Sequence, residues 1–121
     1  MIMFNFEKLE VWQDSRKLVK EIYLITSSFP DEEKFGLTSQ LRRAAVSISS
    51  NIAEGNSRFS HKDKSHFTEI AYTSLMEVAN QLIIATDLNY INEDTLSKKK
   101  KLIELISKKL SGLYKYQRNN P

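Results

Sequence analysis

Cysteine is absent from the 121 residues. This excludes disulfides and thiolate metal sites and fits a reducing compartment. Proline occurs twice and glycine three times, so little in the chain interrupts a helix, and long helices joined by short turns are expected. Long apolar runs are also missing. After the opening residues the longest, Ile22–Ile25 and Leu82–Ala85, hold four residues, against about 20 for a membrane span. The opening Met1-Ile2-Met3-Phe4-Asn5-Phe6-Glu7 carries no basic leader. A cytoplasmic protein with no membrane segment is expected.

Catalytic patterns are missing too. There is no glycine-rich phosphate loop, no H-E-x-x-H and no G-x-S-x-G. Ser97-Lys98-Lys99-Lys100 fits Ser-x-x-Lys only as part of a lysine run, without the companion motifs. His61 and His66 sit about 140° apart around a helix, too far to share a metal. Asp63-x-x-His66 resembles half of a di-iron bundle site, but the second copy and the further glutamates are lacking. No catalytic residue, cofactor or metal is expected, and the chain is read as a non-enzyme.

What is present is helical periodicity over one domain, 1–121, a length that buries about two-thirds of its unfolded surface. Residues 1–8 read as an N-terminal arm. The first helix is predicted from Leu9 to Ser28, with Trp12, Val19, Ile22, Tyr23 and Thr26 on one stripe that continues to Phe29. Pro30 and Asp31-Glu32-Glu33 end it. The second runs from Leu37 to Glu54 on Leu37, Leu41, Ala44, Ala45, Ile48 and Ile52, with Gly55 as a left-handed C-terminal cap. The third runs from His61 to Asn89 behind a Ser60 cap, with Phe67, Ile70, Ala71, Leu75, Val78, Leu82, Ala85 and Leu88 inward. The fourth follows Asn92, a good N-cap, on Leu96, Ile103, Ile106, Leu110, Leu113 and Tyr114. It frays from Lys115, leaving 116–121 as a loose tail. Four helices with short connections imply an all-α, up-down-up-down antiparallel four-helix bundle.

Two surfaces exceed what a lone bundle needs. Tyr72, Met76, Ala79 and Ile83 form a second apolar stripe on the third helix, roughly opposite Phe67, Val78 and Ala85. Behind the core face of the second helix lie Val46, Ser49, Ser50 and Ala53, small enough for another helix to approach. A contiguous apolar stripe points to an interface between subunits, and Phe4 and Phe6 are available to cover an apolar patch on the same or a neighbouring subunit.

The charge is uneven. The total is +3, from 18 basic and 15 acidic residues, yet residues 91–121 hold eight basic and three acidic ones. Lys101, Lys108 and Lys115 repeat every seven residues on one outward face that, with Lys98, can track phosphates of RNA or DNA. The competing reading is a solvated face with Lys100, Glu104 and Lys108 in i,i+4 pairs, favoured because no aromatic platform is interleaved with the lysines. Arg42 and Arg43, near Asn51 and Glu54, suit ion pairs with a neighbouring helix or subunit, with Glu69, Glu77 and Asp87 as candidate partners.

The stretch Phe35 to Gly55, with Leu41-Arg42-Arg43-Ala44 and Asn51-Ile52-Ala53-Glu54-Gly55, resembles the bacterial four-helix-bundle family often encoded in intervening sequences of 23S ribosomal RNA genes. Phe6-Glu7-Lys8-Leu9-Glu10-Val11-Trp12-Gln13 and the segment Leu82 to Ile91 are similar to it in the same order. The resemblance implies a homopentameric, barrel-like assembly with a central channel, and a structural role for Arg42, Arg43, Asn51, Glu54 and Gly55. It extends to the accessory protein of diversity-generating retroelements, a strongly basic pentameric bundle that binds nucleic acid and a reverse transcriptase. The modest charge of this chain departs from that relative. The expected function is a self-assembling bundle that contacts nucleic acid through its fourth helix, or else a scaffold for another protein.

Overall fold

A computed structural model describes residues 1–120. Four helices carry the fold: α1 (Glu10–Thr26), α2 (Leu37–Asn56), α3 (His61–Asp87) and α4 (Glu93–Asn119), with 3-10 turns at Asn5–Lys8 and Asp31–Glu33. Each helix packs against two neighbours in the order α1–α2–α3–α4–α1, and the diagonal pairs do not meet. The all-α antiparallel bundle read from the sequence is therefore the fold. The core is built from Leu18, Ile22, Leu41, Ile48, Leu75, Leu82, Ile106 and Leu110, all fully buried.

Several faces are rotated from their predicted positions. On α1 the buried stripe is Val11, Ser15, Leu18, Ile22 and Thr26. Trp12 and Val19 are half-buried and Tyr23 is exposed. On α3, Phe67 and Ile70 are half-buried, and Leu88, just past its end, is exposed, while Ser65, Thr68, Ser74 and Thr86 are inside. The hydroxyls explain the shift. Ser15 donates to Trp12 O at 2.7 Å, Thr26 to Ile22 O at 2.7 Å, Ser65 to Lys62 O at 2.8 Å and Thr86 to Leu82 O at 2.8 Å. A hydroxyl satisfied one turn back on its own helix is buried at little cost.

The helix ends also differ. α3 stops at Asp87, and Asn89 takes the left-handed conformation with φ 64°. Tyr90 N donates to Ala85 O at 2.9 Å and Asn89 N to Thr86 O at 3.0 Å, the paired bonds of a Schellman ending. Gly55 plays no such part. It lies inside α2, buried, with no positive φ. A Cβ there would stand 2.9 Å from Phe67 Cβ, so this glycine serves the close approach of α2 to α3. α4 does not fray at Lys115. It continues to Asn119 because Gln117 is buried and its Oε1 accepts from Thr68 Oγ1 at 2.7 Å. Pro121 lies outside the described residues.

The α1–α4 seam is held by charge. Lys99 pairs with Glu21, and Lys109 Nζ reaches Asp14 at 2.6 Å and Glu10 at 3.5 Å. The hydrogen bond to Asp14 raises the Lys109 pKa above its ordinary value.

At the end of the bundle holding the α1–α2 and α3–α4 connections, Glu33 ties the two together. Its Oε1 accepts from Leu37 N at 3.0 Å, capping α2, and its Oε2 accepts from Tyr90 OH at 2.9 Å. The Tyr90 ring rests on Phe29 with centroids 5.3 Å apart. The bond from Leu37 N, then that from Tyr90, holds the Glu33 carboxyl below its ordinary pKa. A depressed carboxylate adds stability above its unfolded value and loses it as pH falls through the folded one. Thermal unfolding followed from pH 7 to pH 3 should therefore show wild type above Glu33→Gln at neutral pH. The gap should narrow at pH below about 4.3, the ordinary glutamate value. A constant gap would remove the carboxylate from the explanation.

Candidate functional site: two flanks of the bundle

Arg42 leaves α2 on the side facing α1. Its Nε donates to Thr26 Oγ1 at 2.8 Å and its Nη2 to Tyr23 O at 3.4 Å, with the guanidinium 4.5 Å from the Tyr23 ring centroid. A cation here meets the negative end of the α1 dipole and a ring face. The expected carboxylate partner is thus replaced by a helix terminus within the same subunit. Of the three candidate partners, Glu69 and Asp87 form no ion pair with a described residue, and Glu77 accepts from Gln81 at 3.2 Å.

The other motif residues divide. Asn51 Nδ2 donates to Ser47 O at 2.8 Å and Ser47 Oγ at 3.1 Å. Ser47 Oγ in turn lies 2.9 Å from Ser74 Oγ across the α2–α3 seam. Arg43 and Glu54 are exposed, and no ion pair among the described residues includes them.

Val46 and Ala53 continue the Arg42 flank of α2 at helical spacing. Val46 is 39% exposed. Across the groove, α1 presents Trp12, Val19 and Tyr23, with the Arg16 guanidinium 5.5 Å from the Trp12 ring centroid. The arm folds onto this flank, Phe6 meeting Trp12 edge-on at 5.0 Å and Phe4 stacking on Phe6 at 5.9 Å.

The α3 stripe lies on the other side of the molecule. Tyr72 lines a cavity of about 270 Å³ with Thr68, Glu69, Leu110, Ser111, Tyr114 and Lys115, which places the stripe beside α4. Met76 is 37% and Ile83 42% exposed, while Tyr72 and Ala79 pack partly on the core. The stripe therefore borders the core face instead of opposing it. Glu69 and Asp87 bracket its ends.

The predicted interface residues thus fall into two groups, Val46 and Ala53 at the α1–α2 seam, and Tyr72, Met76, Ala79 and Ile83 at the α3–α4 seam. In a square of four helices these seams are opposite. The first flank carries Arg16 and Arg42, and the second is bracketed by Glu69 and Asp87, with Lys115 on its α4 side.

The α4 lysines are mostly engaged. Lys98 pairs with Asp94 at 3.2 Å and Lys108 with Glu104 at 3.3 Å, both i,i+4, and Lys99 and Lys109 turn to α1. Lys101 and Lys115 are exposed and enter no ion pair among the described residues. Among those residues no group of His, Asp or Glu is placed to hold a metal, and no helix is long and apolar enough to cross a membrane.

These features define the class, an all-α four-helix bundle distinguished by its flanks. The chain belongs to the 23S rRNA-intervening sequence protein family, which it matches over residues 7–112. Its fold is similar to the crystal structure of a protein of unknown function from the S23 ribosomal protein family of Bacteroides thetaiotaomicron. The TM-score is 0.80 and the identity 22%, over 87% of this chain and 98% of that one. No curated protein matches the sequence.

Proposed function

We propose that this protein is a non-catalytic building block that assembles head to tail with its own copies, the α1–α2 flank of one subunit receiving the α3–α4 flank of the next. The observation that carries this reading is the opposite placement of two partly apolar flanks, one bearing Arg16 and Arg42 and the other bracketed by Glu69 and Asp87. A single self-complementary patch favours a two-fold dimer, whereas two different patches favour a heterologous contact, which makes a ring where the rotation between subunits closes and a filament where it does not. The bracketing Glu69 and Asp87 meet the arginines of the neighbouring flank, which steers and registers the contact. A closed ring of five, with a central channel, is the size the sequence resemblance implies.

Light scattering coupled to size exclusion tests this. Wild type should elute as one closed oligomer. Met76→Asp and Val46→Asp should each be monomeric with helix content intact, because each loses one flank and both side chains are already partly exposed. Mixed in equal amounts, the two variants should form a heterodimer, since each retains the flank the other lacks. A monomeric wild type, or a mixture that stays monomeric, rejects the head-to-tail assembly.

A further inference from the structure

The fold sorts charge by end, which the chain order conceals. One end holds the α1–α2 and α3–α4 connections, residues 27–37 and 87–95. It carries six acidic side chains and the single base Lys34. The other end joins residues 1–9, the α2–α3 turn at 56–64 and the close of α4 at 115–120. It carries Lys8, Arg58, Lys62, Lys64, Lys115 and Arg118 against Glu7 and Asp63.

Aromatic rings stand out at the same basic end. Phe59, in the α2–α3 turn, is fully exposed, and Tyr116 is 60% exposed. The His61 ring meets Tyr116 edge-on at 5.9 Å, and the Arg58 guanidinium lies 4.5 Å from the Phe67 ring centroid. Between the turn and the end of α4 is an open cavity of about 380 Å³, whose lining includes Phe59, His61, Lys62, Gln117 and Arg118 but, among the described residues, no carboxylate. Gln117 spends its Oε1 on Thr68, and its amide nitrogen forms no hydrogen bond with a described residue.

We infer that this basic end binds single-stranded nucleic acid. A base stacks on Phe59, the Gln117 amide meets its polar edge, and Lys62 and Arg118 take the adjoining phosphates. Exposed aromatic faces among cations are what single strands use, because every base has a face to stack and every link a charge. A duplex hides those faces. A membrane surface would need a continuous apolar face along a helix, and here the rings stand apart among charges. The lysine face of α4 is the weaker candidate, since Lys98 and Lys108 are neutralised by their own helix and no ring accompanies them. Because the cavity lies at the end of the bundle and not on either flank, this binding does not depend on the proposed assembly.

Fluorescence polarisation of the full chain with a labelled 12-nucleotide single-stranded RNA, at 50 and 200 mM salt, tests the site. Phe59→Ala should weaken binding about tenfold, within the range of one lost base stack. Since Phe59 is fully exposed, helix content and oligomeric state should not change. Lys62→Glu with Arg118→Glu should lower the slope of log affinity against log salt by about 1.4, two single-strand phosphate contacts. Lys101→Glu with Lys108→Glu should leave the slope nearly unchanged. The inference is overturned by any of four results: no binding at 50 mM salt, unchanged binding by Phe59→Ala, equal affinity for the same sequence as a duplex, or binding confined to phosphatidylserine vesicles.

Discussion

Replacing Gly55 with leucine is expected to destabilise the bundle by about 3 kcal/mol or more in urea unfolding, beyond what overpacking costs at an average core site. In an exposed helix the exchange would help, because glycine is about 1 kcal/mol worse than alanine there. At this position α3 lies too close. The first added carbon would stand 2.9 Å from Phe67 Cβ and 3.4 Å from Lys64 O. Neither atom belongs to a flexible chain end, so neither can swing aside. α2 would have to retreat from α3, straining the Ser47–Ser74 contact on the same seam. Gly55→Ala should already lose about 1 kcal/mol, the helix propensity gain being outweighed by the clash. A more stable Gly55→Ala protein would show that the seam yields and that the glycine has no packing role.

Leu75→Ala should cost about 2–5 kcal/mol, the range for a buried leucine that leaves a cavity. Leu75 is fully buried on α3, the helix that packs on both α2 and α4. The same exchange at Leu88, on the C-terminal side of α3 and 48% exposed, should change stability by under about 1 kcal/mol. The pair is a direct test of the face on which α3 rests. Periodicity alone put both leucines in the core, so equal losses would restore that face.

Why the periodicity misplaced Leu88 and Tyr23 is a matter of width. On α1 and α3 the apolar residues cover more than one face, because the flanks add Trp12, Val19 and Tyr23 on one helix and Tyr72, Met76, Ala79 and Ile83 on the other. A broad apolar arc fixes that a helix is amphipathic but not where its centre points. The buried hydroxyls of Ser15, Thr26, Ser65 and Thr86 widened the error, since in a sequence they read as solvent-facing. Their bonds to carbonyls one turn back make them acceptable inside, and such bonds leave no mark in composition. The stop of α3 had a local signal, because asparagine tolerates a left-handed backbone almost as glycine does, and Asn89 stood at the predicted boundary.

Four helices, their order and most of their bounds were determined by the sequence itself. Scarce glycine and proline, the caps Ser60 and Asn92, and the breaker Pro30 act over one or two turns, so local physics decides them. The lack of cysteine likewise excluded whole classes of site without any coordinates. Four things were decided only by tertiary structure. Arg42 ends on the α1 terminus because the antiparallel return places Thr26 beside it, 16 residues away. Gly55 became a contact residue because α3 turns back along α2. The two candidate interfaces separated to opposite sides because the helices close into a square. The basic and aromatic residues gathered at one end because the α2–α3 turn and the close of α4 meet there, although some 50 residues of chain lie between them. Each depends on which parts of the chain become neighbours, and a one-dimensional pattern carries that information only after the helices have packed.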